Sequence, residues 1–102
     1  MFGSVFHMVA NPGAKEQVVQ LMEEDSRMRS IPGFQTAYIF DAAGNDLWGV
    51  AVFDDEKSYR ANANNPDQDQ RYRKLRALLQ ADPEWHDGTV RAWTAEMRAA
   101  RA

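Results

Sequence analysis

The chain has 102 residues, no cysteine, 12 Lys plus Arg against 15 Asp plus Glu, and 11% aromatic side chains. This length predicts a single domain over residues 1–102 with one core of modest size. The net charge of −3 argues against nucleic acid and anionic membranes as the main partners, because both require a basic surface. The absence of cysteine excludes disulfides, thiolate metal sites and cysteine nucleophiles.

The N-terminal segment lacks the basic and long apolar regions of a signal peptide. No apolar run reaches the length of a membrane span. We therefore expect a cytoplasmic protein.

The first half of the chain predicts a strand, a helix and a hairpin. Phe2–Ala10 is rich in Val, Phe and Met and ends at an Asn-Pro-Gly turn, which is typical of a buried strand. From Ala14 the apolar residues recur every three or four positions, which predicts an amphipathic helix that ends before an Ile-Pro-Gly sequence. Two further runs of strand-forming residues, Phe34–Asp41 and Asp46–Phe53, are joined by a short connection and predict a hairpin.

The second half predicts an interrupted helix and a last strand. Three acids at 54–56 favour a helix start, because the positive end of the helix dipole attracts negative charge. The helix is interrupted near Pro66, resumes directly after it and breaks at Asp82. Gly88–Thr94 resembles a strand and precedes a tail rich in Ala and Arg, Ala95–Ala102. The predicted core of the domain therefore covers about residues 2–94.

The order of elements is strand, helix, strand, strand, helix, strand. It predicts an α+β fold, the ferredoxin-like βαββαβ sandwich, in which one antiparallel four-stranded sheet carries both helices on the same face. Both faces of the predicted strands bear apolar groups, as in the alternation of Ala37, Tyr38, Ile39 and Phe40. The face without helices needs a cover, and we expect a second copy of the chain to pack against it.

Few residues suit conventional catalysis or metal binding. The only imidazoles are His7 and His86, no serine lies in a nucleophile elbow, and the glycines stand singly. We expect no metal site and no phosphate-binding loop. His7 lies in an otherwise apolar strand and has two interpretations, a general base or a half-buried histidine bonded to a backbone or cross-dimer group.

The aromatic and methionine content is the remaining signal. The chain holds three Trp, three Tyr, five Phe and five Met. These side chains have two interpretations: all of them form the core, or some line a cavity for a flat hydrophobic ligand.

Three short segments resemble the antibiotic biosynthesis monooxygenase (ABM) domains. They are the turn Asn11–Gly13 before the first helix, Ile31–Phe34 at the start of the second strand, and Val50–Asp54 leading into Lys-Ser-Tyr. The resemblance covers about residues 2–94. It implies a homodimer of the dimeric α/β-barrel superfamily, with a ligand pocket between sheet and helices in each subunit.

The resemblance leaves more than one activity open. Some ABM members oxidise polycyclic aromatic phenols with O2 and no metal or flavin, others degrade heme, and many have no assigned reaction. For an oxygenase of a small or polycyclic phenol or quinol, it implies Tyr72 as proton relay, Asn62 as orienting amide and His7 as base. The implied substrate-binding aromatic residues are Phe6, Tyr38, Trp48 and Trp93. The alternative is a non-catalytic dimer that binds a hydrophobic ligand or acts as a stress or regulatory module.

Heme is disfavoured by the same resemblance. The heme-degrading members use an Asn on the first strand and a Trp and an iron-ligating His on the second helix. The matching positions here hold Phe6, Asn62 and Tyr72. Without the imidazole there is no evident iron ligand, so we expect no cofactor.

Overall fold

A computed structural model describes residues 1–28 and 30–92. Its elements are β1 (Phe2–Val9), α1 (Lys15–Met28), β2 (Phe34–Asp41), β3 (Asp46–Phe53), α2 (Glu56–Ala63), α3 (Pro66–Ala77) and β4 (Glu84–Thr89). The strands form one antiparallel sheet in the order β2-β3-β1-β4. This is the ferredoxin-like arrangement that the sequence predicts, so the α+β fold class is confirmed. No helix within the described residues is long and apolar enough to cross a membrane.

The last strand is a correction to the sequence prediction. It spans Glu84–Thr89, whereas the sequence predicts Gly88–Thr94. Acidic residues and glycine make this stretch a poor strand former by propensity. It is a strand because it pairs with β1 from Phe2 to His7, a contact distant in sequence. The residues from 93 onwards, including the predicted tail, lie outside the described part.

The interruption between α2 and α3 has a local cause. Asp55 caps α2, since its Oδ1 accepts from the Ser58 N–H at 2.8 Å. Hydrogen bonds from Ser58 hold the pKa of Asp55 below its usual value. Asn65 caps α3 by accepting from the Asp67 N–H at 2.8 Å, and Pro66 occupies the first turn. The predicted helix divides at Asn65, where this second cap and Pro66 begin a new helix.

Alternation along β1 assigns its side chains to two faces. The face toward the helices, here called the inner face, carries Phe6 and Met8. Together with side chains from α1, β3 and α3 they form the core cluster Phe6, Met8, Ala10, Val18, Leu47, Leu75 and Leu79. The opposite side, here called the outer face, carries Val5 and His7.

The outer face is apolar and uncovered by any described element. Tyr38 and Phe40 of β2 are 67% and 68% exposed. Their cross-strand partners Val50 and Trp48 pair in turn with Val5 and His7 of β1. This pairing produces a continuous apolar strip across three strands, of the kind that marks an interaction surface.

The end of α3 is fixed to the end of β1 by backbone hydrogen bonds. The Asn11 N–H donates to the Leu78 carbonyl, and the Gln80 N–H donates to the Val9 carbonyl, both at 2.8 Å. Over the rest of their length α2 and α3 bury few side chains. Helix α2 has no buried residue, and Leu75 is the buried residue of α3. The two helices therefore form a thin layer over the sheet, held firmly at this end.

Lys15 fastens the hairpin loop to α1. Its Nζ donates to the carbonyls of Ala42 (2.5 Å) and Gly44 (2.8 Å) and pairs with Asp41 at 2.5 Å. The side chain is only 22% exposed, so replacing it by Met removes three charge-assisted contacts in a partly dry setting.

We expect Lys15→Met to lower the free energy of unfolding by about 1–3 kcal/mol, measured by urea denaturation. Lys57→Met is the matched control, because Lys57 is exposed on α2 and we expect a change within about 0.5 kcal/mol. Equal effects of the two variants would contradict a structural role for Lys15.

Candidate functional site

A cavity of about 1160 Å³ lies between the inner face of the sheet and the helices. Aromatic rings dominate one wall: Phe6 and Trp85 are in contact, with ring centroids 4.7 Å apart, and Phe34 meets Phe53 edge-on at 5.6 Å. Ligand pockets commonly measure about 300–1,000 Å³ and are mostly apolar with a few polar groups. This cavity is therefore large enough for a ligand of several fused rings.

Four of the residues predicted for the site line this cavity. They are Phe6 on β1, Tyr38 on β2, Asn62 on α2 and Tyr72 on α3. Burial, and then the charge of Asp82, raise the pKa of the Tyr72 phenol above its usual value. At neutral pH the Tyr72 phenol is therefore protonated, and its hydroxyl lies close to the Asp82 carboxylate.

The structure places His7 and Trp48 away from the cavity. Both lie on the outer face, where their rings stack with centroids 4.4 Å apart, because they are cross-strand partners in the β1–β3 register. His7 Nε2 is also 3.0 Å from Asp46 Oδ1. The sheet therefore separates both side chains from this cavity, and the roles of His7 as a base and of Trp48 as a substrate contact stay predictions.

Tyr38 is only partly as predicted. It borders the cavity, but it pairs with Val50 of the outer face, and its exposure agrees with a ring on that side. The register decides the direction of the ring, so we place the Tyr38 phenol on the outer face. Trp93 lies outside the described residues.

A polar cluster on the cavity wall was not predicted from the sequence. The Tyr59 hydroxyl donates to Asp87 Oδ1 at 2.8 Å, and Arg60 Nη1 donates to Asp87 Oδ2 at 3.2 Å. All three residues line the cavity. The sequence pattern that could have predicted Asp87 is its spacing of two residues from Trp85. In a strand over Glu84–Thr89 this spacing places both side chains on the same face of the sheet. We call Tyr59, Arg60 and Asp87 the Asp87 cluster.

The ionisation of the Asp87 cluster follows from its contacts. Burial opposes the charge on Asp87, but the Tyr59 and Ser4 hydroxyls and the Arg60 guanidinium outweigh it and hold the pKa of Asp87 below its usual value. Burial, and then the hydrogen bond to Asp87, raise the pKa of Tyr59. The Ser4 hydroxyl acts on both groups, since it also lowers the pKa of Tyr59. At neutral pH the cavity wall therefore presents a carboxylate and a protonated phenol.

The cavity contains no imidazole. The chain has two histidines, and both lie on the outer face, His86 because it is the cross-strand partner of Val5. Among residues 1–28 and 30–92 there is no group of three or more His, Cys, Asp or Glu side chains arranged to hold a metal ion. The residues present do not fit heme held by an axial histidine.

The fold is that of the ABM proteins, as the sequence resemblance implies. SnoaB, a cofactor-independent oxygenase from Streptomyces nogalater, in an asparagine-to-alanine variant, matches with a TM-score of 0.79 and 20% identity, covering 93% of this chain and 97% of its own. The ActVA-Orf6 monooxygenase of Streptomyces coelicolor, in complex with nanaomycin D, matches with a TM-score of 0.79 and 22% identity, covering 93% and 91%. A candidate antibiotic biosynthesis monooxygenase from Deinococcus radiodurans matches with a TM-score of 0.78 and 14% identity, covering 96% and 100%.

At these identities the likeness concerns the fold. No protein-family model matches the chain, and a comparison with curated proteins gives no significant match. The chain therefore has an ABM-like domain, and its activity has to be argued from the cavity.

Proposed function

We propose that this protein is an ABM-like monooxygenase that oxidises a small or polycyclic phenol or quinol with O2 and without a cofactor. The observation that carries the proposal is the cavity, which is lined by aromatic rings, Phe6, Phe53 and Trp85 among them, and by Asn62 and Tyr72. The structural likeness to a cofactor-independent oxygenase and to a monooxygenase with bound nanaomycin D supports it.

The substrate itself supplies the electrons in such a reaction. For a tricyclic anthrone, the ring CH2 is oxidised to a carbonyl, one atom of O2 enters the product, and the other leaves as water with the two hydrogens. The protein orients the substrate through Asn62 and donates a hydrogen bond from Tyr72 to the oxygen that gains negative charge.

Oxygen uptake with anthrone as the probe tests the proposal. We expect consumption faster than in buffer, with one anthraquinone formed per O2. No acceleration with anthrone or with a panel of naphthalene diols would overturn it. Thermal stabilisation by the same compounds without turnover would instead indicate the alternative, a non-catalytic ligand-binding module.

The double variant Tyr72→Phe, Asn62→Ala is expected to lower kcat/KM for anthrone by roughly tenfold or more. It removes two hydrogen bonds to the reacting molecule, each worth about 1 kcal/mol. The rate of oxygen uptake measures the effect. His7→Gln is the comparison variant, and we expect it to keep the wild-type rate because His7 lies on the outer face. An unchanged rate in the double variant would remove Tyr72 and Asn62 from the mechanism.

We also propose that the protein is a homodimer whose outer faces pack together. The support is the apolar strip across β2, β3 and β1, in which Tyr38 and Phe40 are about two-thirds exposed in the single chain. A second copy offers the same strip, so a symmetric pairing covers both at once.

A further inference from the structure

We infer that Asp87 is the hydrogen-bond acceptor by which the cavity selects aromatic ligands that carry a neutral phenolic hydroxyl. The assignment rests on the proposed function, because it names the substrate group that the cavity recognises. Asp87 lies on β4 next to the aromatic wall, where its neighbour two residues earlier, Trp85, packs against Phe6. A ring seated on that wall would therefore bring a substituent within reach of the carboxylate.

The carboxylate has acceptor capacity beyond the bonds that it already makes. Its Oδ1 accepts from Tyr59 and its Oδ2 from Arg60. Each carboxylate oxygen has two lone pairs, so each is able to accept one further donor. The Tyr59 oxygen has donated its hydrogen to Asp87 and offers only lone pairs to a ligand. The wall thus presents two adjacent acceptors.

The charges around Asp87 favour a neutral donor over an anion. Arg60 is shared between two carboxylates: Nη1 binds Asp87, while Nε and Nη2 lie 3.4 and 3.3 Å from Glu56 Oε2. A ligand carboxylate or phenolate entering here would meet two negative groups and one positive group. A phenolic O–H carries no net charge and donates the hydrogen that the acceptors lack.

Calorimetric titration with three matched tricyclic probes tests the assignment in the wild-type protein. The probes are 2-hydroxyfluorene, 2-methoxyfluorene and fluorene-2-carboxylate, which differ only in one substituent. We expect the hydroxyl probe to bind about tenfold tighter than the methoxy probe, the effect of one hydrogen bond to a charged group, and the carboxylate to bind weakest. Equal affinities for the hydroxyl and methoxy probes, or no binding of any probe, would overturn the assignment.

Two variants test whether Asp87 causes the preference for the hydroxyl probe over the methoxy probe. Asp87→Asn is expected to reduce the hydroxyl-to-methoxy preference to about threefold or less. Glu56→Gln removes the same charge from the other side of Arg60 and is expected to keep the full preference. A preference unchanged in Asp87→Asn would overturn the role of Asp87, and the wild-type comparison decides the question if that variant does not fold.

Binding and turnover separate this assignment from the proposed function. Hydroxyl-selective binding with no oxygen uptake on anthrone would overturn the oxygenase and support the role of Asp87. Oxygen uptake by a protein with no hydroxyl preference would overturn the role of Asp87 and support the oxygenase.

Discussion

Replacing Gly3 by alanine is expected to lower the free energy of unfolding by about 3 kcal/mol, roughly a hundredfold in the folding equilibrium. A Cβ at this position would lie 2.0 Å from the Ala51 carbonyl oxygen and 3.2 Å from the Val52 Cα. Both are backbone atoms of β3, so no side chain is able to move aside. β1 lies between β3 and β4, and the clash therefore separates the two central strands.

Gly88→Ala is the matched control for Gly3→Ala. Gly88 is the cross-strand partner of Gly3 on β4, and a Cβ there has no heavy atom within 4 Å. We expect this variant to be neutral or more stable by up to about 1 kcal/mol, because alanine restricts the unfolded chain. Chemical denaturation of the two variants measures the contrast. Equal free energies of unfolding for the two variants would contradict the close approach of β1 to β3 at Gly3.

Adding charge to the outer face is expected to convert the proposed dimer to a monomer. The variant Tyr38→Glu, Phe40→Glu places two carboxylates in the apolar strip, where burial against a second sheet would leave them without a counter-charge. An uncompensated buried charge costs about 3–5 kcal/mol, so we expect the dimer dissociation constant to rise by at least roughly a thousandfold. Both side chains are mostly exposed in the single chain, so its own fold should remain.

Light scattering on eluted peaks measures the change. We expect twice the 11.6 kDa mass of one chain for the wild type and the mass of one chain for the variant. Gln17→Glu, Gln20→Glu adds the same charge on exposed positions of α1 and should remain dimeric. A wild-type mass of 11.6 kDa at micromolar concentration would contradict the dimer.

The sequence was sufficient for most of the fold because most elements carry their own local signals. Phe34–Asp41 and Asp46–Phe53 alternate and are rich in strand formers, and both have the predicted bounds. The segment Glu84–Thr89 has no such signal, and its strand conformation comes from pairing with β1. Local propensity does not contain that information.

The candidate site also contains residues that the local sequence predicts and residues that depend on contacts distant in sequence. Phe6 and His7 are adjacent in one strand, so their side chains must face opposite sides, and only Phe6 reaches the cavity. Asp87 was missed for a different reason. Its contacts with Tyr59 and Arg60 join residues 28 and 27 positions apart, respectively, and they depend on the true position of β4 in the sheet.

The thin layer formed by α2 and α3 is attached to the sheet at both ends. Tyr59 and Arg60 bind Asp87 on β4, and backbone hydrogen bonds join the end of α3 to the end of β1. Asn62 and Tyr72 lie between these attachments, on either side of the junction between the two helices. A ligand that contacts both residues would therefore link α2 to α3 across that junction.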